Sequence, residues 1–260
     1  MRPPLDPVLI QARIKETSIT RVDVHDEVTS TNALAQDQRE PWVAVVADYQ
    51  TGGRGRLGRT WSETPRAGLA VSVLVPTPPY AVGWLPLLTG LALRRAIAAS
   101  VDVRADLKWP NDLLDPATGR KLAGILCEVT PAGVVIGTGL NVDHQRDELP
   151  VPTATSLALV TGRAPGELDR GAVLTAYLIA LCEAYAVLLA RGDRLRSAQA
   201  EYRAACTTIG ADVEIDRGGG ALVRARASGV DDDGRLLVRD ADGRASALAA
   251  GDVRHVRVGE

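Results

Sequence analysis

Phenylalanine is absent from the 260 residues of this chain, and methionine occurs once. Cysteine and histidine occur three times each. Cys127, Cys182 and Cys206 are odd in number and have neither zinc-type nor CxxC spacing, which predicts reduced thiols and a cytoplasmic protein. The histidines are equally far apart, so we expect no metal cluster and find little support for a histidine-based catalytic triad.

Long apolar runs and an excess of positive charge are also missing. We expect no membrane-spanning segment and no membrane partner, since no run appears long enough and residues 1–6 lack a signal-peptide core. The net charge of −2 argues against a general nucleic-acid binder.

Lysine is scarce in a chain rich in arginine. Of 30 basic residues, only Lys15, Lys108 and Lys121 are lysine. A compact ammonium group is not replaceable by a guanidinium where space is tight. We therefore predict a functional role for Lys121 and hold Lys108 as functional or structural, with chance retention on the surface as the alternative.

The most informative segment is the glycine- and arginine-rich loop at residues 52–61, GGRGRLGRTW. Glycine permits close backbone approach, and arginine grips carboxylates and phosphates, so this arginine loop is suited to surround an anion. The alternative is a surface turn with solvated arginines. The loop lacks the lysine of a Walker A motif and does not fit a dinucleotide fingerprint.

Hydrophobic patterning predicts an α+β fold. The ranges 22–28, 42–49, 68–75, 104–108, 121–129 and 134–142 are typical of strands, and 85–100, 169–190 and 195–204 of helices. After residue 208 short strands alternate with turns, which predicts a small β-barrel; the strands are 212–216, 221–230, 235–239, 244–248 and 253–258. Asp233-Gly234 and Asp242-Gly243 are hairpin-turn signals. Polar, glycine-marked loops follow the earlier strands and together favour stabilisation of negative charge on phosphate.

Five segments in order resemble the motif set of biotin–protein ligases. They are Ser30-Thr-Asn32, Gly53-Arg-Gly-Arg-Leu-Gly-Arg-Thr-Trp61, Lys108-Trp-Pro-Asn-Asp112, Lys121-Leu-Ala-Gly-Ile-Leu126 and Gly137-Thr-Gly-Leu-Asn141. The resemblance implies a mixed β-sheet with flanking helices, like class II aminoacyl-tRNA synthetases, over residues 1–207. It implies an SH3-like β-barrel over residues 208–260.

The resemblance also implies a two-step reaction. Biotin and ATP, with Mg²⁺, would form biotinyl-5′-AMP and pyrophosphate. Biotin would then pass to a lysine of the biotin carboxyl carrier protein of an acyl-CoA or pyruvate carboxylase. Only about twenty residues precede the first strand, too few for the DNA-binding unit of some relatives, so we expect a monofunctional ligase.

Roles of individual residues follow from the same resemblance. Arg54, Arg56 and Lys121 are expected to neutralise the biotin carboxylate and the α-phosphate, and Asp112 is a candidate base for the acceptor amine or a structural ion pair. Trp61 is expected to pack on adenine or in the core, Asn141 to recognise the adenine amino group and Asn111 to assist the phosphate–Mg²⁺ site. The remaining biotin-binding candidates are Ser30, Thr31, Asn32, Gln50, Gly53 and Gly124, where capping of the following helix is an alternative role for Ser30 and Thr31.

Three rival functions remain open. A lipoate ligase or related acyltransferase shares the fold and the lysine acceptor, but the Gly-Arg-Gly-Arg sequence favours biotin. A nucleic-acid-binding module would use the arginine loop on phosphates, against the net charge. An inactive biotin-binding homologue is disfavoured by the intact Lys121 and arginine pair.

Overall fold

The computed structural model describes residues 2–216, 222–249 and 252–255. The helices are α1 (Pro7–Arg13), α2 (Thr31–Gln36), α3 (Leu85–Val101), α4 (Leu157–Thr161), α5 (Arg170–Ala190) and α6 (Gly192–Ala205). The strands are β1 (Arg21–His25), β2 (Val43–Ala47), β3 (Gly53–Arg54), β4 (Thr60–Trp61), β5 (Gly68–Val75), β6 (Asp106–Lys108), β7 (Asp112–Leu114), β8 (Lys121–Thr130), β9 (Gly133–Asn141), β10 (Asp212–Asp216), β11 (Leu222–Val230), β12 (Leu236–Asp240), β13 (Ala245–Leu248) and β14 (Asp252–His255).

The main sheet has seven strands in the order β1-β2-β5-β9-β8-β7-β6. β1 and β2 pair in parallel and the other neighbours are antiparallel, which makes the sheet mixed. Strands β2 and β5 are buried along their whole length, as continuous apolar runs predict. The predicted mixed sheet with flanking helices is confirmed.

The two longest helices, α3 and α5, pack against each other in the hydrophobic core. Residues Val82–Val101 and Arg170–Ala190 are long and apolar enough to cross a membrane by length and composition alone, with mean hydropathies of 1.2 and 2.0. The expectation that no run reaches that length is therefore wrong. Most of each apolar window, 61% and 56%, is buried inside the protein, and core packing accounts for its composition.

The C-terminal sheet is antiparallel, in the order β13-β12-β11-β10-β14. Hairpin turns with glycine at positive φ, Gly234 and Gly243, join β11 to β12 and β12 to β13 at the predicted Asp-Gly sequences. The predicted small β module is confirmed. Two predicted strands, 221–230 and 253–258, include residue 221 and residues 256–258, which lie outside the described residues.

Candidate active site

A cavity of about 380 Å³ opens on one face of the main sheet. That volume is within the ordinary range for small-molecule sites. Its wall is formed by the start of α2, the arginine loop, the turn between β6 and β7, and the facing strands β8 and β9. Every one of these segments carries a motif singled out in the sequence.

The polar end of the cavity is built around the N-terminus of α2. Ser30 is the N-cap, and its hydroxyl accepts from the Ala33 N–H at 3.4 Å. The Gln50 Oε1 atom accepts from both the backbone N–H and the hydroxyl of Thr31, at 2.8 and 3.0 Å. Capping and a place in the cavity wall therefore coexist for Ser30 and Thr31.

Asn32 lies beside this pair and is held from two sides. Its Nδ2 donates to the Glu128 carboxylate at 2.6 Å, and its Oδ1 accepts from the Ser72 hydroxyl at 2.5 Å. Ser72 Oγ is also 2.8 Å from Thr31 Oγ1. A Cβ at Gly137 would lie 2.0 Å from Asn32 Oδ1, so glycine is required there for Asn32 to enter.

The arginine loop forms the opposite wall. β3 and β4 pair as a short hairpin, and a single 3₁₀ turn, Arg56–Gly58, forms its tip. Leu57 and Gly58 at this tip have positive φ of 57° and 72°. Arg56 Nη1 donates to Asn111 Oδ1 at 3.3 Å, while Asn111 Nδ2 donates to the Ile125 carbonyl at 2.9 Å. Asn111 thus links the loop to β8.

The Trp61 indole lies over strands β8 and β9, between the polar end of the cavity and the arginine loop. Gly124 and Gly139 face each other in the β8–β9 register, and a Cβ on Gly139 would come within 2.4 Å of the Trp61 ring. At Gly124 a Cβ would lie 3.0 Å from Lys121 Nζ and 3.4 Å from the Trp61 ring. Two side chains, Trp61 and Lys121, therefore occupy the space that these glycines leave open.

Lys121 and Asp112 form an ion pair, with Nζ and Oδ1 2.6 Å apart. Both side chains are partly exposed to the cavity. The Lys121 ammonium is also 5.7 Å from the centre of the Trp61 ring. Five cations and one carboxylate line the cavity, which makes it electropositive and suited to anions: Arg54, Arg56, Arg59, Lys108, Lys121 and Asp112.

A buried carboxyl lies directly behind the loop. Glu63 Oε1 accepts from the Gln50 backbone N–H at 2.9 Å, and burial raises the pKa of Glu63 to about 7. His144 Nε2 accepts from the Thr64 N–H at 3.4 Å, and burial lowers the pKa of His144 to about 4. These two groups fix the segment that follows the arginine loop.

Comparison with known proteins identifies the family. Residues 20–142 match the biotin/lipoate A/B protein ligase family, and residues 208–256 match the biotin protein ligase C-terminal domain. The chain is 39% identical to the biotin–[acetyl-CoA-carboxylase] ligase of Mycobacterium tuberculosis, over 99% of this chain and 98% of that protein. The chain belongs to the biotin protein ligase family.

Two further relatives agree. The ligase is 30% identical to the bifunctional ligase/repressor BirA of Bacillus subtilis, over 84% of this chain and 69% of that protein. A structure of the biotin protein ligase from Aquifex aeolicus in complex with biotin and ATP superposes with a TM-score of 0.77 at 26% identity. The match covers 91% of this chain and 100% of that one, so the predicted family and the ligase class are confirmed.

Most residues predicted for the site of the ligase line the cavity. They are Ser30, Thr31, Asn32, Gln50, Arg54, Arg56, Trp61, Asn111, Asp112, Lys121 and Gly124. The structure does not bring Asn141 or Gly53 to the cavity wall. Asn141 is buried at the end of β9, where its Nδ2 donates to the Thr155 carbonyl at 3.0 Å. Gly53 faces the Trp61 carbonyl in the hairpin, 2.6 Å from where a Cβ would lie.

Sequence patterns missed three polar residues of the ligase. Ser72, Glu128 and Glu63 each bond to a residue predicted to bind biotin. Ser72 was detectable in principle, because it is the single polar residue in an eight-residue buried strand. The other two sit in segments whose polarity is unremarkable in the sequence.

Proposed function

We propose that this chain activates biotin with ATP and transfers it to a lysine of a biotin carboxyl carrier protein. One observation carries the proposal: a single cavity joins a hydrogen-bonding end at Thr31 and Gln50 to a cationic end at Arg56 and Lys121. Such a cavity suits an acid with a neutral polar head and a carboxylate tail. A lipoyl chain offers no comparable partner for the hydrogen-bonding end.

Biotin recognition is assigned to the polar end. The ureido group presents donors and a carbonyl acceptor, which suit the hydroxyls of Ser30 and Thr31 and the amides of Asn32 and Gln50. Gly53 is assigned an indirect part, since it pairs with Trp61 within the hairpin. The hydrogen bonds among these side chains hold them in place before the ligand arrives.

The first step joins two anions. A biotin carboxylate oxygen attacks the α-phosphorus of ATP, the bond to the β-phosphate oxygen breaks, and pyrophosphate leaves. Arg54, Arg56 and Lys121 are assigned to the developing negative charge, because cations placed beforehand lower the cost of bringing like charges together. Gly124 leaves room above β8 for Lys121 to lie across the strand.

The adenosine end is assigned to Trp61 by ring stacking. Asn141 does not line the cavity, and its Nδ2 donates to the Thr155 carbonyl, which leaves Oδ1 to accept from the adenine amino group. Mg²⁺ prefers oxygen ligands and comes with the ATP phosphates. No group of three or more acidic, histidine or cysteine side chains capable of holding a metal occurs within the described ranges. Asn111 supplies the cavity oxygen assigned to the ion, which would neutralise phosphate charge when bound.

In the second step the acceptor amine attacks the acyl carbonyl, AMP leaves, and the amine loses a proton. We assign Asp112 both to the ion pair with Lys121 and to the base for the acceptor amine, the two roles that the sequence left open. It pairs with Lys121 in the structure, and once Lys121 contacts the α-phosphate the carboxylate is released to accept that proton. The acceptor is proposed to be a carrier domain of an acyl-CoA or pyruvate carboxylase.

We also propose a division into a catalytic unit over residues 1–207 and a C-terminal unit over 208–260. The two sheets share no strand among the described residues. A cytoplasmic location remains our proposal, in keeping with Cys127, Cys182 and Cys206 as free thiols.

Pyrophosphate release from Mg-ATP, without acceptor protein, tests the proposed function. We expect release with biotin and little with lipoate at equal concentration. Release with lipoate alone would assign the chain to lipoate activation. Absence of release with either acid would leave a binding protein, and binding of nucleic acid that weakens steeply with salt would favour the phosphate-binding alternative.

A further inference from the structure

The turn between β11 and β12, residues 231–235, lies against the catalytic region. It is a rigid turn, because the Asp231 carboxylate accepts from the backbone N–H groups of Asp233 and Arg235, at 3.0 and 2.9 Å. The Arg235 Nε donates to the same carboxylate at 2.8 Å. A Cβ on Gly83 would lie 2.1 Å from the Asp233 carbonyl oxygen, so the two backbones are in close contact.

Two tryptophans of the catalytic region donate their indole N–H groups to this turn. Trp109 Nε1 donates to the Gly234 carbonyl at 3.0 Å, and Trp84 Nε1 donates to the Asp231 carbonyl at 3.2 Å. Both side chains are fully buried. The two bonds are alike in donor and acceptor, although the Trp109 bond is buried and the Trp84 bond only partly so. They differ in which part of the catalytic region each tryptophan belongs to.

Trp109 belongs to the turn between β6 and β7, which forms part of the cavity wall. It lies between Lys108 and the Asn111-Asp112 pair, all of which line the wall. Its backbone N–H also donates to the buried Thr208 hydroxyl at 3.0 Å. Trp84, by contrast, precedes α3 and does not line the cavity. The C-terminal region thus holds Trp109 by both its backbone and its side chain.

Two cations of the site depend on the residues that follow Trp109. Asn111 accepts from Arg56, and Asp112 pairs with Lys121. We propose that Trp109 is a positioning residue, through which the 231–235 turn sets the placement of Arg56 and Lys121 for adenylation. This inference rests on the proposed function, and it gives the C-terminal sheet a part in the first step of the reaction.

The test compares Trp109→Phe with Trp84→Phe in the full-length protein. Each variant keeps an aromatic ring and loses one indole N–H bond to the same turn. We expect Trp109→Phe to lower kcat for biotin-dependent pyrophosphate release about ten-fold, because small displacements of reacting groups are costly. We expect KM for biotin to stay within about two-fold and Tm to fall equally in both variants. Equal kcat values in the two variants would overturn the proposal.

A second variant approaches the same contact from the turn and covers the case in which Trp109→Phe fails to fold. Asp231→Ala keeps both tryptophans but removes the bonds that make the turn rigid. It should lower kcat in the same way, and the double variant with Trp109→Phe should be no slower than the slower single one. Additive losses of kcat would show that Asp231 and Trp109 act independently, which would contradict the proposal. A wild-type protein that releases no pyrophosphate would instead refute the proposed function itself, and the positioning role with it.

Discussion

At the scale of single residues, the most consequential finding is Ser72, a fully buried hydroxyl that contacts both Thr31 and Asn32. It does not line the cavity itself. Its hydrogen bonds hold two of the four side chains that are assigned to biotin. Ser72 therefore helps to set the geometry of the recognition surface, together with Glu128 and Gln50.

Ser72→Ala should raise KM for biotin about five-fold, since one buried hydrogen bond is worth about 1 kcal/mol and Asn32 Oδ1 loses the donor that orients it. KM for ATP should change little. Pyrophosphate release at varied biotin and ATP measures both constants. Thr89→Ala is the matched control, because Thr89 is buried on α3 and bonds to the Leu85 carbonyl away from the cavity. Equal biotin KM in the two variants would contradict the assignment.

Glu63 leads to a prediction about pH. Burial raises its pKa from 4.5 to about 7. Between pH 4.5 and about 7 the native state therefore keeps a proton that the unfolded chain has released. The free energy of unfolding should therefore fall as pH rises from about 4.5 to about 7. Glu63→Gln keeps an oxygen to accept from the Gln50 N–H and removes the buried charge.

We expect Glu63→Gln to unfold with a free energy about 2 kcal/mol higher than wild type at pH 8, and nearly the same at pH 4.5. Urea titrations at the two pH values measure the difference. A variant that is less stable at pH 8 would show that the Glu63 carboxylate makes favourable contacts that outweigh its burial.

The glycines at residues 137–139 show what sequence reasoning does and does not reveal at this scale. Their place in a strand predicts close approach by a ligand or backbone. In the structure the approaching groups are the side chains of Asn32 and Trp61, which are more than seventy residues away along the chain. The pattern predicts that space is needed but carries no information on which distant residue fills it.

At the scale of elements, the arginine loop is a hairpin whose tip projects over the cavity. Its position depends on the Arg56–Asn111 bond and on the Gln50–Glu63 bond at its base. Because the proposed intermediate is a reactive mixed anhydride, the same loop is expected to exclude water and retain it.

Arg56→Gly should release biotinyl-5′-AMP into solution and lead to biotin on lysines of unrelated proteins. The expected result is at least a ten-fold loss of adenylate retained after rapid gel filtration, because a cation over the phosphate is removed. Arg39→Gly, a change at an exposed arginine outside the cavity, is the control. Retention equal to that of the control would refute the role of the loop as a cover.

Strands were the most predictable elements. The apolar runs in β2, β5 and β9 predicted their positions within a few residues, because a strand buried on both faces is apolar throughout. The short strand β7 was not predicted. Its three residues are held by pairing with β6 and β8, which no local pattern contains.

At the scale of the whole molecule, the N-terminal segment is tied to the segment that follows β9 and to α5. Arg2 pairs with Asp143 and Glu148, which lowers the pKa of Glu148 to about 2. The Arg170 guanidinium, itself buried against Asp48, donates to the Pro3 carbonyl at 2.7 Å. These ties cross most of the chain and were not predictable from local sequence.

The Arg2 pairing predicts how stability depends on acid. Glu148 has a lowered pKa, so the contribution of its ion pair with Arg2 to the free energy of unfolding is complete above about pH 4.5. That contribution is lost as pH falls towards about 2. Arg2→Ala should lower the free energy of unfolding by about 1–2 kcal/mol at pH 7 and by much less at pH 2.5. Denaturant titrations at both pH values measure it, and a loss independent of pH would point to packing instead.

The central claim is that the cavity activates biotin with Lys121 as the essential cation. Its most direct test is pyrophosphate release with biotin and Mg-ATP in Lys121→Ala, beside Lys15→Ala, which alters an exposed lysine outside the cavity. We predict a loss of at least a hundred-fold in kcat for Lys121→Ala, about 2.7 kcal/mol of transition-state stabilisation, and wild-type release for Lys15→Ala. Release by Lys121→Ala at the rate of Lys15→Ala would contradict the claim.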